Sequence, residues 1–61
     1  MPMSGKEMLR LFENKGWKVA RQKGSHVIVQ KTGELPETIP MHKELKKGLE
    51  QRLLKRLGEK R

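Results

Sequence analysis

The sequence predicts an α+β fold in which a helix, three antiparallel strands and a second helix follow one another. Apolar residues recur at helical spacing near both ends of the chain, and the stretch between them changes to a period of two. A chain of 61 residues has room for one core, so both apolar helix faces need a common partner. We therefore expect a single domain, residues 1–61, with both helices packed on one face of the sheet.

The first helix is predicted to begin at a capping box. Ser4 and Glu7 are three residues apart, so each side chain can accept a hydrogen bond from the backbone amide of the other. Gly16 follows where a left-handed residue would end the helix. The apolar face between these two points consists of Met8, Leu9, Leu11 and Phe12.

The segments "WKVARQ" and "SHVIVQ" predict a β-hairpin around a two-residue turn at Lys23–Gly24. In that register Arg21 lies opposite His26, and directly opposed residues share a face. The face with Trp17, Val19 and Ile28 is then the predicted core. His26 would stand at the turn end of this core-facing side, at its margin, whereas a longer loop would move it to the open face.

A third strand and a second helix complete the predicted fold. The third strand is the short "TIP" segment, which Pro36 and Pro40 limit at either end. The second helix lies in "GLEQRLLKRLG", where Gly58 supplies the stop. Its apolar stripe consists of Leu49, Leu53, Leu54 and Leu57.

The charge of the chain limits the classes of partner. Fifteen Lys and Arg residues oppose seven Asp and Glu residues, for a formal net charge of +8. Such a chain attracts nucleic acid, an anionic membrane surface or an acidic protein, although a solvated surface that serves solubility is the plain alternative.

Composition also argues against several kinds of site. The chain has no cysteine, which excludes disulfides and thiolate metal ligands, and we expect a reducing, cytoplasmic setting. No apolar run is long enough for a signal peptide or a spanning helix, so no membrane partner is expected. Two histidines and scattered glutamates lack the spacing of a metal site, and we predict no metal and no cofactor.

Several short motifs follow one another along the chain: "KGSH", "IP", a histidine, "KELKKG" and a closing leucine helix. Together they resemble the HicA family, also called the YcfA-like family, of toxin components from bacterial and archaeal toxin–antitoxin pairs. The most specific element is Gly24-Ser25-His26, in which the turn residues Gly24 and Ser25 position the histidine. Pro40, His42 and Gly48 follow in the expected order.

The resemblance implies a fold similar to double-stranded RNA-binding domains and an activity as a metal-independent mRNA interferase that arrests translation. The essential histidine of the family corresponds to His26. Taken alone, a single histidine in a strand is more often structural than catalytic, although imidazole exchanges protons near neutrality. The family also implies a HicB-type antitoxin that binds the toxin and covers its active site, and we expect the free toxin to be a monomer.

Metal-free RNA cleavage needs a base for the 2′-hydroxyl proton, an acid for the leaving 5′-oxygen and positive charge beside the phosphorus. His26 is the best base or acid available, and Lys23 and Arg21 could stabilise the charge on the phosphorane. His42 is a candidate for the second proton transfer. Alternatively His42 caps the last helix or faces water, and a lysine or a solvent molecule supplies the proton.

Further basic residues are candidates for phosphate contacts, which supply affinity but little sequence choice. Each could equally be a solvated surface residue. Two other functions stay open: an RNA-binding module that does not cleave, and a DNA-binding or regulatory subunit whose basic surface meets an acidic partner. The candidate RNA-binding residues are Lys18, Lys43, Lys46, Lys47 and Arg52.

Overall fold

A computed structural model describes residues 2–58, which form two helices and a three-stranded antiparallel sheet with strand order β1-β2-β3. One buried cluster joins residues of both helices to the inner face of the sheet. This confirms the predicted α+β class and the packing of both helices on one face. The elements are α1 (Gly5–Asn14), β1 (Lys18–Lys23), β2 (His26–Gln30), β3 (Glu37–Pro40) and α2 (Lys47–Arg56).

Helix α1 begins at the predicted capping box. The Glu7 amide donates to Ser4 Oγ over 3.1 Å, and the Ser4 amide donates to Glu7 Oε1 over 2.9 Å. Met8 and Phe12 of this helix are fully buried. Gly16 has the predicted positive φ, at +94°, which a residue with a Cβ rarely adopts.

The hairpin turn differs from the prediction by one residue. The turn is Gly24–Ser25, so Lys23 pairs with His26. Gly24 takes a φ of +59° at the first turn position, which lysine would adopt only with strain. Both turns have two residues, so the shift changes the cross-strand partners while Arg21, His26 and Ile28 still share one face. The buried face is the other one, with Val27 and Val29, and the prediction that the face with Ile28 was buried is wrong.

The predicted core face is divided by a bulge in β1. The register shifts between Val19 and Arg21, so the alternation along β1 is broken there. Val19 is 45% exposed, and Ile28 lies on the outer face of the sheet. Trp17 precedes β1 and is buried as predicted, with its ring edge-on to Phe12 at a centroid distance of 5.1 Å.

Helix α2 packs through the predicted leucine stripe. Leu53 and Leu54 are buried, and Leu49 and Leu57 pack partly buried against the same cluster. Gly58 has the positive φ expected of a residue that ends a helix, at +78°. Neither helix of the described part of the chain is long and apolar enough to cross a membrane.

A buried carboxylate joins β3 to α2. Glu37 is the first residue of β3 and faces the helices, 7% exposed. Its oxygens accept bonds from both terminal nitrogens of Arg52, at 3.0 and 3.3 Å, and from Arg56 Nη1 at 3.0 Å. Arg56 also donates to the Leu35 carbonyl and stacks 5.2 Å from the centre of the Trp17 ring. Two arginines therefore satisfy the only buried charged side chain of the described residues.

Replacing Glu37 with glutamine is expected to destabilise the fold by about 1–3 kcal/mol, because charge-assisted bonds to a buried acceptor are lost. Glu34→Gln is the matched control. Glu34 is 47% exposed and lies 3.8 Å from Arg56, so its loss should cost less than about 1 kcal/mol. Urea denaturation followed by Trp17 fluorescence measures both changes. Equal midpoints for the two variants would contradict a structural role for the Glu37 cluster.

Candidate active site

The face of the sheet that points away from the helices is here called the open face. In the observed register it comprises Lys18, Arg21, Lys23, His26, Ile28, Gln30 and Thr38. Three of these residues are cationic and none is acidic. The chain has no Asp or Glu between Glu13 and Glu34, so both strands of the hairpin are free of negative side chains. The open face is therefore suited to contact an anion.

His26 lies at the turn end of the open face. Its side chain is exposed, and Lys23 is its direct partner on β1. Arg21 is two residues from Lys23 on the same face, opposite Ile28. The prediction that His26 stands on the core-facing side is wrong, because the buried side of β2 is the one with Val27 and Val29. The predicted grouping of His26 with Lys23 and Arg21 is nevertheless present, since Lys23 pairs with His26 and Arg21 follows on the same face.

The turn that carries His26 is braced on two sides. The Met41 amide donates to the Ser25 carbonyl over 2.6 Å, which ties the turn to the segment after β3. The Gln22 side-chain amide donates to the Gly24 carbonyl over 3.0 Å. Neither Gln22 nor Met41 was a predicted site residue, and a glutamine two residues before a turn glycine is a weak signal. These bonds fix the backbone from which the imidazole projects.

His42 follows β3 and lies outside the strands of the sheet. It is exposed and lines a hollow of about 490 Å³ that also touches Gln22 and Val27, which face the helix side. Its carbonyl accepts a bond from the Gly5 amide at 2.9 Å. His42 therefore does not belong to the strand residues that form the open face.

The other predicted basic residues do not form one surface. Lys18 belongs to the open face, whereas Lys43 borders the hollow beside His42. Lys46 and Lys47 are exposed at the start of α2. Arg52 is 57% exposed, and its guanidinium is held by Glu37. Lys18 is therefore the only member of this set that shares a face with His26.

Two further features bear on the chemistry of the open face. Phe12 and Trp17 are the only Phe, Tyr or Trp residues of the chain, and both are buried, so neither can stack on a base at this face. Within residues 2–58, no three His, Cys, Asp or Glu side chains are grouped so that they could hold a metal ion.

Comparison with known proteins identifies the family. The family model for the HicA toxin of bacterial toxin-antitoxin systems matches residues 5–59. The chain belongs to the HicA toxin family. A chain of a solved toxin-antitoxin complex from Streptococcus pneumoniae is 45% identical, with a TM-score of 0.78, and the match covers 93% of this chain and 98% of that chain. A search of the curated proteins found no match.

Membership of the HicA family confirms the resemblance that was found from the ordered motifs. The solved chain has the same fold over nearly its whole length, so the helix, three strands and helix of this protein are the arrangement of a HicA-type toxin.

Proposed function

We propose that this HicA-family protein is a metal-independent endoribonuclease that cleaves mRNA through His26 and so arrests translation. The observation that carries the proposal is the setting of His26. The imidazole is exposed, projects from a braced turn and lies directly opposite Lys23 on a face without acidic residues. A phosphodiester that approaches this face meets a proton-transfer group and positive charge together.

In the proposed reaction the 2′-hydroxyl of the RNA attacks the neighbouring phosphorus. His26, in its neutral form, takes the hydroxyl proton as the O2′–P bond forms. The P–O5′ bond breaks, which leaves a 2′,3′-cyclic phosphate on one product and a 5′-hydroxyl on the other. Lys23 and Arg21 stabilise the negative charge that develops on the phosphorane oxygens. DNA lacks the 2′-hydroxyl and would not react.

The leaving 5′-oxygen needs a proton from a second donor. Lys23 is the nearest candidate on the open face, because it is the cross-strand partner of His26. Water is the other candidate, since this face is exposed. His42 is a weaker candidate than the sequence suggested, because it borders a hollow on the helix side of the sheet.

The proposed partner in the cell is a HicB-type antitoxin. The solved chain that is 45% identical belongs to a toxin-antitoxin complex, which supports an antitoxin for this chain too. Such a protein would neutralise the toxin by covering His26, and acidic groups on it would match Lys18, Arg21 and Lys23. RNA and the antitoxin would then compete for one surface.

A chimeric oligonucleotide tests this reaction. The substrate is DNA with one internal ribonucleotide, and the matched control carries a 2′-O-methyl group there. We expect cleavage only after the ribonucleotide, in EDTA as in its absence, with a 2′,3′-cyclic phosphate end detected by mass spectrometry. Cleavage of the control would remove the 2′-hydroxyl from the mechanism, and loss of cleavage in EDTA would require a metal. RNA that is bound but never cut would indicate the non-catalytic RNA-binding module.

A further inference from the structure

A hollow of about 340 Å³ adjoins the open face at the end farthest from His26. Lys18 and Gln30, which are cross-strand partners on the open face, form one side of it. Lys31 and Thr32 form the other side, together with Gly16, Glu34 and Pro36. Two lysines and two neutral polar side chains therefore converge next to the strand ends.

The side chain of Lys31 contacts Gly16 at the edge of this hollow. Its side chain packs over Gly16, so that Lys31 Cε lies 3.6 Å and Nζ 3.9 Å from the position that a Cβ on Gly16 would occupy. The positive φ of Gly16 makes this close packing possible. The one acidic group at the hollow, Glu34, lies 3.8 Å from Arg56, which offsets its charge.

We infer that Lys18 and Lys31 form a phosphate-binding subsite for a single-stranded RNA that crosses the open face from His26. This inference rests on the proposed function, because it takes RNA as the ligand. It extends that function in two ways: the RNA contacts the protein at a second place, and the RNA is single-stranded.

The distance between the subsite and His26 fits a short piece of RNA. Gln30 is four residues beyond His26 on β2, which corresponds to about 13 Å at the usual strand rise of about 3.3 Å per residue. At about 3.4 Å per stacked nucleotide, this is at most about four nucleotides. Phosphates near both ends of such a segment would meet Lys23 at one end and Lys18 with Lys31 at the other.

The arrangement of charge favours one strand over a duplex. Lys23, Arg21 and Lys18 follow one another along β1, and none of them forms an ion pair with a carboxylate of residues 2–58. On the same face β3 contributes the neutral residue Thr38. A single row of cations matches one phosphate backbone, whereas a duplex presents two backbones across its minor groove.

Binding measurements on protein that cannot cleave test the subsite directly. A His26→Ala protein is titrated with labelled oligoribonucleotides by fluorescence anisotropy at several salt concentrations. Lys18→Gln with Lys31→Gln should weaken binding about fivefold to tenfold and lower the salt slope by about 1.4, since each phosphate contact on a single strand contributes about 0.7. Lys6→Gln with Lys55→Gln removes the same charge from the helices and should leave the slope unchanged.

Substrate length and strand state give independent readouts. Extending the RNA on one side of the cleavage site by up to about four nucleotides should tighten binding, and the Lys18 and Lys31 double variant should lose this gain. RNA duplex of equal length should bind more weakly than single strand. The proposed subsite would be wrong if the Lys18 and Lys31 double variant had the same salt slope as the Lys6 and Lys55 control. It would also be wrong if the duplex bound more tightly than the single strand.

The outcomes separate this inference from the catalytic proposal. If the wild-type protein cleaves RNA and the Lys18 and Lys31 double variant does so with an unchanged KM, the subsite is wrong and the endonuclease stands. If the double variant loses salt slope and length dependence while the wild type cuts nothing, the RNA path stands and the catalytic proposal fails. If only the Lys46→Gln and Lys47→Gln double variant had a lower salt slope, the RNA would bind at the start of α2 and not at the subsite.

Discussion

Replacing His26 with alanine is expected to lower the rate of RNA cleavage by about 10²–10⁴-fold, the usual contribution of a positioned proton-transfer group. The side chain is exposed on the open face, so its removal should change the free energy of unfolding by no more than about 0.5 kcal/mol. Single-turnover cleavage of a defined RNA measures the rate, and circular dichroism checks the fold. Expression of the wild-type protein should arrest growth, and expression of His26→Ala should not.

Replacing His42 provides the comparison for His26→Ala. His42→Ala removes the same group from the hollow on the helix side, and we expect cleavage to fall by less than about tenfold. A large loss in His42→Ala would make this residue the second proton donor despite its position. Wild-type rates in folded His26→Ala protein would remove imidazole chemistry from the open face altogether.

The ends of the fold were predictable because their signals are local. The capping box at Ser4 and Glu7 acts through side chains three residues apart, and the φ of Gly16 and Gly58 follows from the position of each glycine after a helix. The sequence "LLKRLG" has a helical period whatever lies beside it. Such features need no knowledge of the tertiary structure.

The register of the hairpin was not predictable in the same way. Lys23–Gly24 and Gly24–Ser25 are both possible two-residue turns. With either turn, both faces of the hairpin carry several apolar residues. The choice depends on Val27 and Val29 meeting Ile39 and the helices, and on a bulge near Ala20 that single-sequence patterns do not reveal. The wrong choice of the buried face, and not the one-residue error in the turn, placed His26 at the core margin.

The Glu37 cluster was not predicted either, and Arg52 was a candidate for a phosphate contact or a solvated surface residue. Arginines at positions 52 and 56 are spaced by one helical turn, so they can point at one acceptor, but only the tertiary fold brings Glu37 to that place. The grouping of the candidate site residues could be predicted. His26, Lys23 and Arg21 lie within six residues of one another around one turn, so they stay grouped in either register.

Gly5 is the position where a single methyl group is expected to do most damage to the fold. A Cβ built on Gly5 would lie 2.0 Å from the Pro40 carbonyl oxygen and 2.8 Å from Met41 Cα. Both are backbone atoms, so no side-chain rotation relieves the clash. The φ of Gly5 is not positive, which means that the position requires glycine for space and not for backbone conformation.

We expect Gly5→Ala to lower the free energy of unfolding by about 2–4 kcal/mol, from overpacking together with loss of the bond between the Gly5 amide and the His42 carbonyl. A chain of 61 residues has a total of only about 3–9 kcal/mol, so most of the stability would be lost. At about 4–8 °C per kcal/mol, the midpoint of thermal unfolding should fall by roughly 10–30 °C.

Gly48→Ala is the matched control for this prediction. Gly48 lies in the first turn of α2, and apart from its chain neighbours and the backbone of its own helix no heavy atom of the described residues comes within 4 Å of its Cβ position. The same substitution should therefore raise stability, by up to about 1 kcal/mol, because alanine favours a helix over glycine. Opposite shifts of the two midpoints would locate the cost in the contact between α1 and β3, whereas similar shifts would mean that Gly5 is not packed against Pro40.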